Sequence, residues 1–191
     1  MSKKIRSVLP SLLAVALFAA GCQQLDTRNE GERRPTKSEP TVVRTSSYSM
    51  PFEITYYRLA RTLDSTESVC VARARDLNDG SSHYQRSGDF VTDKFYTNFS
   101  QYSLRARLLR SLADHPGVQQ EAQAQGCTLI AKPQVESWSV ELISQRDMRV
   151  TLQMYDTSSL ELVNSFAINA GKEADMVSGI IYLVHKLYFP N

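Results

Sequence analysis

Gly126-Cys127-Thr128-Leu129-Ile130-Ala131-Lys132-Pro133 decides the fold. Leu129, Ile130 and Ala131 follow one another with no polar alternation, as in a strand buried on both faces. Such strands lie inside sheets whose faces carry helices. Gly126 stands where a helix ends in a C′ glycine. Asp114-His115-Pro116 opens that helix, because Asp caps a first turn and Pro is tolerated in one.

Upstream, Ser68-Val69-Cys70-Val71-Ala72-Arg73-Ala74 reads as a first strand, followed by the turn-rich loop 76–82. A helix is expected from Ser87, with Ser87 as cap and Asp89 in the first turn. Val91, Phe95, Phe99 and Tyr102 form one helical stripe, a core face rather than a cofactor box. Leu104 to Leu109 is the second strand.

Downstream, the central strand runs past Pro133 through Val135 and Trp138 to Leu142, its second half one-sided or bulged. Val150, Leu152 and Met154 alternate, Asp156 to Ser159 turns the chain, and Leu162 to Ile168 returns as a strand. A last helix runs from about Glu173 to Tyr188, with Met176, Ile180, Val184 and Leu187 inside, supported by Val177, Ile181 and Tyr188. Residues 51–63 fit either a short strand through Phe52, Ile54 and Tyr56 or a helical turn, and are read as an extension packed on the domain. These elements make a single α/β domain over 51–191, ordered β-α-β-α-β-β-β-α. Its mixed five-stranded sheet is expected in the spatial order 2-1-3-4-5.

The amino terminus reads as an address. Lys3, Lys4 and Arg6 precede an apolar run of about 13 residues, Val8 to Ala20, too short to span a bilayer. Leu17-Phe18-Ala19-Ala20-Gly21-Cys22 then resembles the lipobox of bacterial lipoproteins, with Ala19 where Leu is usual. The resemblance implies a signal peptide over 1–21, cleavage between Gly21 and Cys22, and acyl chains on Cys22. Gln23 in place of Asp implies the periplasmic face of the outer membrane. Residues 22–50 then form a polar flexible tether. Its roughly 28 residues average about 30 Å end to end, with a taut limit near 90 Å.

Charge excludes some partners. The chain carries 22 Lys+Arg against 20 Asp+Glu. Three of the cations lie in the signal, leaving 19 against 20, so the mature chain is near −1. No basic field suggests nucleic acid. With Cys22 taken by lipid, Cys70 and Cys127 remain, either joined in an oxidising compartment or buried as free thiols.

Tyr84-Gln-Arg-Ser87-Gly88, the 126–133 strand, Trp138 and Leu152-Gln-Met-Tyr155-Asp156 together resemble an uncharacterised family of proteobacterial lipoproteins over roughly residues 65 to 170. The stretch after Trp138 departs from it, being shorter and less acidic. More distantly, the element order is similar to the TolB amino-terminal domain and the curli-secretion lipoprotein. These resemblances imply a module that binds other envelope proteins or oligomerises, and carry over no catalytic residue.

No metal or cofactor is expected. His83, His115 and His185 stand apart from any Cys or carboxylate at ligand spacing, and Asp76 to Gly80 lacks the spacing of a calcium loop. Ser87-Gly88 lacks the hydrolase elbow. One crevice is expected beyond the carboxyl ends of the parallel strands, edged by Asp76, Asp79, Ser81, Tyr84 and Ser87. The expectation is a non-enzymatic, membrane-anchored interaction module for an envelope assembly. The alternatives are a small-ligand protein or weak hydrolase using that crevice, and a self-associating structural lipoprotein.

Overall fold

The computed structural model describes residues 43–45, 50–77, 86–138 and 148–189. Gly21, Cys22 and the rest of the address, Asp79, Ser81, His83 and Tyr84, and the strand continuation to Leu142 lie outside them. In chain order the elements are β1 (Val43–Thr45), β2 (Phe52–Leu59), β3 (Val69–Arg73), α1 (Ser87–Tyr102), β4 (Arg107–Leu112), α2 (Val118–Ala124), β5 (Leu129–Trp138), β6 (Met148–Asp156), β7 (Leu162–Ala170) and α3 (Glu173–Tyr188).

They build one mixed sheet in the order β1-β2-β7-β6-β5-β3-β4. β3 pairs in parallel with β4 and β5, and the other pairs are antiparallel. The five expected strands therefore stand in the expected order. The count of five is corrected to seven. β2 adds antiparallel to β7, and its register slips between Tyr56 and Arg58. That bulge ends the alternation of Phe52, Ile54 and Tyr56 before Leu59, which is why the stretch reads two ways in sequence. β1 takes three residues from the stretch read as tether and pairs with β2.

β3 has its side chains covered on both faces. Val69 and Val71 join a large core with Leu129, Leu152 and Phe166 of the sheet, Phe95 and Phe99 of α1, and Ile180 and Val184 of α3. Cys70 and Ala72 face the other way, into a smaller core with Leu109, Ile130, Val118 and Ala122. The topology explains the division. The chain steps outward from β3 to β4, then back past β3 to β5. Crossovers of one hand that reverse direction must place their helices on opposite faces. β5 behaves as its sequence implies, buried at Leu129, Ile130 and Ala131 and slipping register between Val135 and Ser137. Leu129 N–H points to Ser68 O, so two-residue periodicity aims the Pro133 nitrogen the same way. Pairing with β3 has ended by then at Ala131, so the missing donor costs nothing.

Several local expectations are corrected. α2 begins at Val118, not at Asp114, because Asp114 pairs with Arg75 and His115 Nδ1 accepts from Gly117 N–H. β4 begins at Arg107, and Leu104 belongs to the turn before it. Ile181 is exposed, and Leu183 fills the inner face of α3 beside Ile180 and Val184. Gly126 does take the left-handed C′ position, at φ 72°. Its N–H reaches Gln123 O and the Cys127 N–H reaches Ala122 O, the paired bonds of a Schellman close.

That close delivers Cys127 to Cys70, and the two are joined with Cα atoms 5.7 Å apart. On the outer side of β4, Glu121 accepts from the N–H groups of Arg110 (2.8 Å) and Ser111 (3.0 Å). Burial opposes the Glu121 charge, but these bonds outweigh it and hold the carboxyl below its usual range. Asp156 opens the β6–β7 turn by accepting from Ser158 and Ser159, and hydrogen bonding to the Ser158 hydroxyl leads in pulling its pKa to about 2.

Two outcomes follow for stability. The disulfide spans 57 residues, and loop closure of that length is worth about 4 kcal/mol at most. Urea unfolding of the Cys70→Ala, Cys127→Ala double variant should show a loss of roughly 2–4 kcal/mol, and an unchanged midpoint would remove the bridge from the stabilising contacts. The Asp156 pKa lies below its ordinary 3.8. Its contribution is therefore full above about pH 4 and lost as pH falls toward 2. Asp156→Asn should flatten the fall of the urea midpoint across that window.

Candidate functional site

β3 leads to a helix on one face and its neighbour β4 to a helix on the other. Chains that part in this way leave a crevice beyond the carboxyl ends of the two strands. Here it is an open cleft of about 420 Å³ between Arg75 to Leu77, Ala113-Asp114 and Pro133 to Glu136. Of the residues expected to edge a crevice here, Asp76 lines this cleft, and Asp79, Ser81 and Tyr84 lie outside the described residues.

Asp76 edges the cleft but is engaged. Its Oδ1 accepts from the Gly88 N–H at 2.8 Å, supplying from a distant loop the carboxylate at the start of α1. Ser87 is inside the helix instead of capping it. The residue before the helix is Arg86, at φ 91°. Ser87 is buried, and its Oγ accepts from the Leu77 N–H. Thr92 completes the clamp, its Oγ1 accepting from the Ala74 N–H and donating to Gly88 O. Gly88 is required sterically. A Cβ there would lie 2.5 Å from Ala74 O and 2.6 Å from the Arg75 carbonyl carbon. Ser87, expected at a crevice edge, and Gly88 thus dock the start of α1 against the end of β3.

The residues that sequence reasoning missed are charged pairs. Arg75 and Asp114 bridge the mouth at 2.8 Å, and that hydrogen bond holds the Asp114 carboxyl below its usual range. On the far wall, Glu136 accepts from Arg149 Nε at 2.6 Å. Arg149 also donates to Tyr57 OH and Asn169 Oδ1, tying β5, β6, β7 and β2 across the sheet face not covered by α1 and α3. Burial opposes its charge, and the bond to Glu136 keeps the guanidinium firmly ionised. Lys132, on the same face, lies 5.1 Å from the Tyr155 ring centroid, and burial lowers its pKa. The separations of 39 and 13 residues in these ion pairs give no local signal.

Chemically, the described carboxylates of this cleft serve as fixed partners. Asp76 holds a helix, Asp114 an arginine across the mouth and Glu136 an arginine on the sheet. His115 is used by its own turn, and His185 lies in an aromatic cluster at the other end of the molecule. Among the described residues no three His, Cys, Asp or Glu side chains group as metal ligands.

No protein-family model and no curated protein matches the chain. Its fold is similar to solved structures. One is described as a PelC dodecamer from Paraburkholderia phytofirmans, 13% identical, with a TM-score of 0.57 over 72% of this chain and 97% of that one. A single-substitution form of the same PelC dodecamer gives 0.55 at 14% identity, over 72% and 97%. Lipoprotein GNA1162 from Neisseria meningitidis gives 0.44 at 9% identity, over 65% of this chain and 99% of that one.

The roles assigned to the clamp have a direct check. Asp76→Ala should lower stability by about 1 kcal/mol, the usual worth of a capping acceptor, and Asp76→Asn should retain most of it. Thermal unfolding of both variants measures this, and equal losses in the two would reassign Asp76.

Proposed function

We infer that this chain is a lipoprotein of the outer membrane, held by acyl chains on Cys22, whose periplasmic α/β domain is a non-enzymatic assembly module. The observation that carries the reading is the correspondence with a protein described as a dodecamer, which spans nearly all of that protein's chain. The lipobox-like segment supplies the anchor. The engaged carboxylates of the cleft agree with a scaffold more than with a catalyst, which needs a base or nucleophile left available. The resemblance to envelope modules of the TolB and curli-secretion kind points the same way. Self-association is the favoured mode, and other envelope proteins are the alternative occupants of the same role.

Crosslinking of the full-length protein in cells, followed by detergent extraction, mass spectrometry and light scattering, tests this. Self-crosslinked species several times heavier than the protomer are expected. A stoichiometric envelope partner would support the wider form of the same reading. Cys22→Ala should abolish membrane retention. A monomer without any crosslinked partner overturns the proposal, and one that responds to small molecules moves the function to the cleft.

A further inference from the structure

The two ends of the sheet differ in kind. One carries the cleft and its ion pairs. The opposite, basal end collects aliphatic and aromatic side chains that the core does not use. Six large apolar residues are exposed among those described, and four of them lie at this end. Leu104, 96% exposed, occupies the turn between α1 and β4. Leu59, 48% exposed, ends β2, Leu160, also 48%, sits in the β6–β7 turn, and Phe189, 53%, follows α3.

Register places them together. Leu59 pairs with Asn164 near the start of β7. Asp156, beside the Leu160 turn, pairs with Leu129 at the start of β5, which in turn pairs with Val69 at the start of β3. α3 finishes here too, with Leu187 O accepting from the Leu63 N–H. From β2 to β4 there are five inter-strand steps, or roughly 24 Å, so the four residues ring the end as separate points. Between them Tyr102 stacks on Tyr188, with ring centroids 5.1 Å apart, and Phe189 packs edge-on to Tyr102.

A second, independent observation gives the direction of the chain. β1 is antiparallel to β2, with Val43 opposite Tyr56 and Thr45 opposite Ile54. Since β2 runs toward the basal end, the chain must enter β1 from that end. The chain therefore enters the described domain at Val43 from the side that carries the exposed Leu and Phe residues. Charge agrees. Arg105 and Arg107 follow Leu104, are exposed, and have no carboxylate partner among the described residues, whereas at the same end Glu67 and Asp156 face Arg61 and Asp64 accepts from Thr66.

We propose that the basal end is a membrane-docking surface. Leu104, Leu59, Leu160 and Phe189 enter the boundary between headgroups and acyl chains, and Arg105 and Arg107 meet lipid phosphates. Short apolar points on a polar body, with cations beside them, suit shallow interfacial insertion. Glu161, next to Leu160, limits how deep that turn can sink. The proposal rests on the anchored reading in one respect: the lipid on Cys22 brings the domain to the bilayer, and the basal end then fixes its orientation with the cleft facing away.

The test uses full-length lipidated protein in vesicles of phosphatidylethanolamine and phosphatidylglycerol. Nitroxide labels are placed at Leu104→Cys and Phe189→Cys, with Ala174→Cys, exposed at the start of α3 on the cleft end, as reference. With Cys70 and Cys127 joined and Cys22 acylated, no other thiol takes label. At 104 and 189, collision with oxygen should rise and collision with a water-soluble nickel chelate should fall several-fold, relative to detergent-free protein without vesicles. Position 174 should not change. Acylated protein with water-exposed labels at 104 and 189 overturns docking and leaves the anchor standing. Labels already shielded before vesicles are added assign the surface to a second copy and also overturn it. If mass spectrometry finds Cys22 without lipid, the anchor fails. The same labels in a Cys22→Ala background with excess vesicles then decide docking alone, burial supporting it and water exposure overturning it.

Discussion

A strand whose first four side chains avoid water needs cover on both faces, and β3 imposes that requirement on the whole domain. Val69 and Val71 need the α1 and α3 layer, and Cys70 and Ala72 need α2. One chain meets both needs by stepping outward to β4 and back past β3 to β5. The reversal sorts the helices, opens the cleft between their diverging ends and brings the end of α2 over β3, where the disulfide closes. Each of these is a consequence of covering one five-residue strand twice.

Much of this was legible in the sequence because it rests on local pattern. The unbroken Leu129-Ile130-Ala131 run, the Gly126 stop and the aromatic stripe of α1 fixed the order of five strands and the placing of helices between them. What escaped had a physical cause in each instance. β2 carries a bulge that interrupts its period, and β1 is too short to have one. Asp114 resembles a cap, yet Arg75 competes for its carboxylate. At the cleft, Ser87 was expected to cap α1 and Asp76 to edge a crevice, but the remote Asp76 serves the Gly88 N–H and Ser87 holds the loop at Leu77. Arg75 to Asp114 and Glu136 to Arg149 are tertiary pairs, visible only once the strands are aligned.

Fold and function separate cleanly here. The likeness to the PelC dodecamer concerns the path of the chain, since 13% identity transmits few side chains. The features on which function is argued are this chain's own: a sheet face laced by Arg149, a cleft whose charges are mutually satisfied, and an end where leucines stand in water. The two ends of the sheet thus differ, one lined by satisfied charges and the other studded with exposed leucines.

The carboxylate of Glu121 lies along the outer side of β4 and holds the N–H groups of Arg110 and Ser111. An edge strand with open donors is a template on which a neighbouring chain can extend the sheet. Proteins confined to a surface meet copies of themselves far more often than the same number dispersed in a volume, so open donors become more hazardous with confinement. Glu121 occupies two of them with a side chain of the same molecule, and its lowered pKa keeps that occupancy intact in mildly acidic surroundings. At these two donors a neighbouring chain finds no open backbone N–H to pair with.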